Sequence, residues 1–189
     1  MGPDNFVLWA ADRTTHRMAK LTEEDQKLVP GFLENAQGEE YERYSALFSQ
    51  LWFKAPHIRL SEEQTKGGGK SYTYCFTPES TLPLMNCCHG AELPGIFSHP
   101  EETKVTGRIF DETFSRTMRK MWVQFARTGN PSLSADISPD GKAYEWPLYD
   151  PENKEVMVFD EFNIHPEQES ERKIVDWERT YPLTKYYNF

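Results

Sequence analysis

Up to about residue 70 the apolar positions recur at helical spacing; they then alternate, and helical patterns return further on. "LTEEDQKLV" sets Thr22 three residues ahead of Asp25, with Glu23 and Glu24 in the first turn, as a helix start prefers. Pro30 and Gly31 are expected to interrupt that helix. From Glu39 onwards, Tyr41, Tyr44, Leu47, Phe48, Leu51 and Trp52 form one apolar stripe, which predicts an amphipathic helix ending before Pro56. "HIRLSEEQTK" predicts a further helix, stopped by the run Gly67–Gly69.

The rhythm then shortens. "KSYTYCFT" alternates β-branched and aromatic residues directly after the glycines, which predicts a strand. Residues 78–106 are rich in Pro, Gly, Ser and Asn and have no sustained period, so they read as one long loop of the kind that carries function. In "DETFSRTMRKMWVQFARTG", Phe114, Met118, Met121, Trp122 and Phe125 line one helical face. Arg127 lies in the last turn, Gly129 suits a left-handed cap, and Pro131 follows. After "YEWPLYD", "EVMVFD" predicts a short buried strand, and "PEQESERKIVDWERTY" a final charged helix.

A helix between two strands is a crossover, which implies parallel strands joined with a right hand. Two or three strands cannot make a parallel sheet covered on both faces. The fold class expected is therefore α/β, helix-rich, with an incomplete and mainly parallel sheet belonging to a larger protein. Residues 1–69 are expected to be mainly helical. Residues 70–189 should hold a strand, a loop, a helix, a strand and a C-terminal helix.

Composition narrows the possible functions. The 189 residues are 38% hydrophobic and 14% aromatic, which fits a packed chain rather than a disordered one. With 21 basic against 30 acidic residues, the formal charge of −9 disfavours nucleic acid and anionic lipid as partners. No stretch approaches the ~20 apolar residues of a membrane helix, and "MGPDNFVLWAADRTTHR" has no basic start and apolar run of a secretory signal. Three cysteines (Cys75, Cys87 and Cys88), two of them adjacent, do not make a disulfide framework. "NPS" at 130–132 fails as a glycosylation site because its middle residue is Pro. A reducing, cytoplasmic location is expected.

Chemistry has three candidates. Cys87, Cys88 and His89, with His99 beyond, raise a zinc site, but zinc motifs space their ligands because adjacent side chains diverge. No metal and no cofactor are expected, and His16, His57 and His165 stand isolated. "KGGGK" at 66–70 lies between a helix and a strand, whereas a phosphate-binding loop follows a strand and opens a helix. The third candidate is His89 as a hydrolase base, since a histidine on a loop after a late strand can carry a proton between a serine and a leaving group.

"CCHGAELPGIF" resembles the catalytic-histidine segment of type B carboxylesterases, the family of cholinesterases and para-nitrobenzyl esterases. "FKAPHIRLSEEQTKGGGKSYTYCFTPES" is similar to the helix and strand before that histidine. "MRKMWVQFARTGNPS", "YEWPLYD" and "EVMVFD" are similar to the family's C-terminal signature. The resemblance implies the C-terminal portion of an α/β-hydrolase fold and makes His89 the general base and acid of a Ser-His-Glu triad. The substrate it implies is a small carboxylic ester.

Two departures accompany the match. The 189 residues contain no Gly-x-Ser-x-Gly, and Ser98, the serine closest to His89, lacks the strand-turn-helix setting of a nucleophile elbow. The resemblance also places Asn5 of "PDNFVLW" where the triad acid is expected. An amide can hold an imidazole but cannot stabilise imidazolium as an anion does. Asp4 would substitute only through a shift of one residue. The chain is thus expected to be inactive alone and to need an N-terminal esterase segment carrying the serine elbow, or else to self-associate. The alternative is a catalytically dead interaction module of the same fold.

Overall fold

The computed structural model describes residue 23 and residues 27–36, 38, 40–83, 85–98 and 103–168. The chain divides into two compact units, residues 1–67 with 170–189 and residues 68–169.

The first unit is helical over its described length: α1 (Leu28–Asn35), α2 (Glu40–Ser49), a π-helical turn (Gln50–Lys54) and α3 (Ala55–Lys66). The helix expected to begin at Thr22 lies largely outside the described residues, and neither Pro30 nor Pro56 ends a helix where one was expected to stop. Pro30 and Gly31 lie inside α1, where Pro30 occupies the first turn and its missing N–H would have had no intrahelical acceptor. The helix expected to end before Pro56 instead runs on through the π turn into α3, with Pro56 in the opening turn of α3. A proline lacks one ladder donor and crowds the carbonyl four residues back, and a widened turn accommodates both defects. α3 does stop where the glycines predict, with Gly67 N–H donating to Glu63 O at 3.0 Å.

The second unit holds a three-stranded sheet in the order β1 (Tyr74–Phe76), β2 (Glu155–Asp160), β3 (Asn163–Gln168). β1 and β2 are parallel, with Cys75 opposite Val158, as a strand-helix-strand crossover requires. β3 returns antiparallel to β2, with Phe159 opposite Ile164. β3 corrects the expected final helix: residues 166–168 are strand, and the remainder of that segment lies outside the described residues. A two-residue turn at Glu161 and Phe162, with Phe162 N–H donating to Asp160 Oδ1 at 3.0 Å, folds the chain back before a helix can start.

The crossover helix α6 (Glu112–Thr128) matches its sequence signals except at the end of the apolar stripe, where Phe125 is half exposed. Asp111 caps it, its carboxylate accepting from Phe114 N–H at 2.9 Å, and Gly129 ends it in the left-handed conformation. Phe114, Met118 and Met121 turn inward and join Phe110, Leu133, Trp146, Met157 and Phe159 in one core. Met118, Met121, Met157 and Phe159 have no exposed surface. Burying each contributes about 1.5–3 kcal/mol, so this cluster is the main reason the crossover holds its shape. Trp146 is buried without an orphaned donor, because its indole N–H reaches Thr73 O at 3.0 Å.

The stretch 78–106 is not the featureless loop that its composition suggests. It contains two short helices, α4 (Leu93–Phe97) and α5 (Thr103–Thr106). Pro94 opens α4, where a missing N–H is harmless, and Gly95 lets the helix approach α6. A Cβ on Gly95 would lie 2.5 Å from Met118 Cε, so the contact between α4 and α6 depends on a residue without one.

Candidate active site

His89 lies in the loop that leaves the carboxyl end of β1, the end of a parallel sheet where ligand sites form. Ala91 N–H donates to Cys88 O at 3.1 Å, closing a four-residue turn with His89 and Gly90 at its centre. Gly90 has φ +82, the third-position conformation of a type II turn, which any Cβ would strain. "CHGA" is therefore a turn sequence, and it puts an exposed imidazole at the corner. Ala91, only 1% exposed, and the buried Ile96 anchor the downstream side.

Polar bonds hold the loop from both sides. Ser80 N–H donates to Asn86 O at 2.8 Å, Thr81 N–H to Thr106 O at 2.9 Å, and the Ser80 hydroxyl to Val105 O at 2.9 Å. Arg108 ties this loop to the end of β2. Its Nη1 meets Glu161 Oε2 at 2.6 Å, its Nε donates to Glu79 O at 3.3 Å, and it lies 4.9 Å over the Phe110 ring. The other Glu161 oxygen accepts from Asp111 N–H at 2.7 Å, so one largely buried carboxylate secures both the loop and the start of α6.

The strand edge meets the loop through a thiol. Thr73 O and Thr77 N–H bond to β2, so the backbone groups of Tyr74 and Phe76 turn to the opposite side of the strand. There the Cys87 thiol donates to Phe76 O at 2.9 Å, and Cys75 Sγ lies 4.0 Å from the same oxygen. Burial, reinforced by the neighbouring Cys75, Cys88, Glu92 and Glu79, pushes the Cys87 thiol up to about 12; burial also raises Cys88. Thiols held neutral in this way are poor nucleophiles and poor metal ligands. Among the described residues no group of three or more His, Cys, Asp or Glu side chains is placed to hold a metal ion.

The remaining sequence candidates fall as follows. Ser98 closes α4 in the left-handed conformation, and its hydroxyl accepts from Arg119 Nη1 at 3.0 Å while Arg119 also pairs with Glu112. That is a helix end, not a nucleophile elbow. Gly67 and Gly68 end α3, so "KGGGK" is a helix stop. His57 is half-buried in α3, where burial and then Lys54 lower its pKa below the usual 6.5. His165 lies on β3 with its Nδ1 2.9 Å from Asn163 O. Asp4, Asn5, His16 and His99 lie outside the described residues.

Sequence reading missed the bond from Tyr74 Oη to Glu92 Oε1, 3.3 Å long. The only signal for it was an acidic residue three positions after His89. It also missed the Arg108–Glu161 pair, whose partners are far apart in the chain and announce themselves by no spacing.

The model of the carboxylesterase family matches residues 10–175. The chain belongs to the carboxylesterase family. It is 33% identical over 133 residues to the para-nitrobenzyl esterase of Bacillus subtilis, a match covering 67% of this chain and 25% of that one. It is 36% identical over 83 residues to the acetylcholinesterase of Electrophorus electricus, covering 43% of this chain and 13% of that one. The chain thus spans a quarter or less of these relatives. The structure of the Geobacillus stearothermophilus carboxylesterase EST55 at pH 6.2 superposes with a TM-score of 0.61 at 22% identity, over 92% of this chain and 34% of that one. The fold is accordingly a portion of an α/β-hydrolase. No helix among the described residues is long and apolar enough to cross a membrane.

Proposed function

We propose that this chain supplies the histidine of a Ser-His-acid esterase, and that the serine comes from an N-terminal segment carrying Gly-x-Ser-x-Gly. The observation that carries this reading is an exposed imidazole at a glycine-dependent turn beyond the carboxyl end of a parallel strand, inside the family-matched region. His89 takes the serine proton as the hydroxyl attacks the acyl carbonyl of a small carboxylic ester. It returns that proton to the departing alkoxide, and the cycle repeats with water to release the acid. Because no Gly-x-Ser-x-Gly occurs in the 189 residues, the chain alone performs neither half of the cycle.

The test is hydrolysis of a chromogenic short-acyl ester by the chain alone and by the chain combined with a segment bearing the elbow. Turnover is expected only in the combination, and His89→Ala should lower it by at least about a thousandfold. Turnover that survives His89→Ala overturns the assignment.

One sequence feature favours a second reading, a carboxylesterase-like interaction module without catalysis: Asn5 stands where the family's acid is expected. A combined enzyme that binds ester but never turns it over, with or without Asn5→Glu, would select this second reading.

A further inference from the structure

We propose that Tyr74 and Glu92 are a positioning pair for His89, linking the corner that carries the imidazole to the aromatic core beneath it. This inference rests on His89 being the base. Glu92 directly precedes α4 and follows the turn containing His89, yet its carboxylate does not cap that helix. It accepts instead from Tyr74 Oη at 3.3 Å, across from the turn onto β1. A side chain at a helix start would ordinarily satisfy a local N–H, so spending this carboxylate on a strand residue fixes the loop against the sheet.

Tyr74 is itself immobilised. Its ring meets Trp122 edge-on at 5.2 Å, Phe159 at 5.9 Å and Trp146 at 6.2 Å. Those three rings also pack on one another, with Trp146 and Phe159 5.1 Å apart. Burial, and then the charge and hydrogen bond of Glu92, push the Tyr74 phenol up to about 12, so it remains a donor across the range in which an imidazole titrates. The described charged and titratable groups around this end of β1 include Glu92 ahead of α4, Glu79 on the loop, Arg108 paired with Glu161 at the end of β2, and the thiols of Cys75, Cys87 and Cys88. The pair thus ties the turn that carries a base at this corner to the sheet, which fixes the direction of the turn.

The experiment uses the full chain combined with the elbow-bearing segment, and compares Tyr74→Phe, Glu92→Gln and the double variant with His89→Ala. Tyr74→Phe keeps the packed ring and removes only the hydroxyl, so the fold is expected to survive. Each single variant should lower kcat on the order of tenfold with KM little changed, and the double variant should be no worse than either single. In the full chain alone, the NMR resonances of the His89 imidazole should move in both single variants, because the turn loses its tie to β1. A merely structural role would lower the melting temperature without moving those resonances. Unchanged kcat and unmoved His89 resonances in both single variants, while His89→Ala is inactive, overturn the positioning pair and leave the base standing. An active His89→Ala enzyme overturns the base itself, whatever the resonances show.

Discussion

The frame of the second unit and the loop it carries are held by opposite means. Met118, Met121, Met157 and Phe159 are fully enclosed between α6 and the sheet, and no single contact among them sets the geometry. His89 sits exposed on a stretch fixed by directional bonds: Ala91 to Cys88, Ser80 to Asn86 and Val105, Cys87 to Phe76, and Tyr74 to Glu92. Apolar burial scales with area and tolerates reshaping, whereas a hydrogen bond fixes direction and contributes about 1 kcal/mol net. The core therefore supplies stability and the loop supplies geometry, and the two should fail separately.

The largest effect should come from the frame. Met118→Ala empties a fully enclosed site between α6 and the sheet, touching Gly95 of α4 as well. It should cost about 2–5 kcal/mol, read as a lower urea midpoint with the slope unchanged. A loss below about 1 kcal/mol would mean that the core has collapsed around the gap and that the frame is looser than its burial implies.

The loop should behave differently. Gly90→Ala forces a Cβ into φ +82 but meets only the Leu93 side chain at 3.4 Å, so the cost is backbone strain of about 1 kcal/mol. Global stability should fall by no more than that, while amide and imidazole resonances of residues 87–92 shift strongly in an NMR spectrum. Shifts spread evenly through α6 and β2 would show that loop and frame are one cooperative piece, and the contrast between them would fail.

That division also explains which parts of the structure were legible in the sequence. α6 could be read from end to end because Asp111, the stripe from Phe114 to Met121, and Gly129 are local signals. β2 was visible as an apolar run, and the parallel pairing followed from the crossover. His89 could be nominated because glycine follows it and because its neighbours resemble a known segment. Pro30 misled because a proline's penalty depends on whether its missing donor had an acceptor to lose, and Pro56 because a widened turn can absorb the defect, neither of which the sequence shows. β3 was lost because Glu167, Gln168 and Glu169 have good helix propensity, while the turn at 161–162 and pairing with β2 decide the outcome. The bonds from Tyr74 to Glu92 and from Arg108 to Glu161 join residues with no shared periodicity, so only the folded chain brings them together.

A second loop offers the smallest and finest test. Asp140 closes the connection between Leu133 and Tyr144, which pair with each other through both backbone groups. Its carboxylate accepts from Tyr144 Oη at 2.7 Å, Ser138 Oγ at 2.8 Å and Lys142 N–H at 3.1 Å. Burial acts to raise its pKa, but these bonds and the charge of Lys142 prevail and hold it at about 2, below the ordinary 3.8. A carboxylate depressed in the folded state stabilises fully above its unfolded pKa and loses that contribution as pH falls through the folded one. Stability should therefore decline between about pH 4 and pH 2, and Asp140→Asn should flatten the decline. The variant should be less stable than the parent at about pH 5, by under about 1 kcal/mol because the group is at the surface, and the two should converge near pH 2. Met118→Ala should shift the whole pH profile down without changing its slope, since no titrating group is lost from the core. If Asp140→Asn leaves the acid slope intact, the polar loops do not set the acid sensitivity of this unit, and carboxylates elsewhere in the chain must carry it.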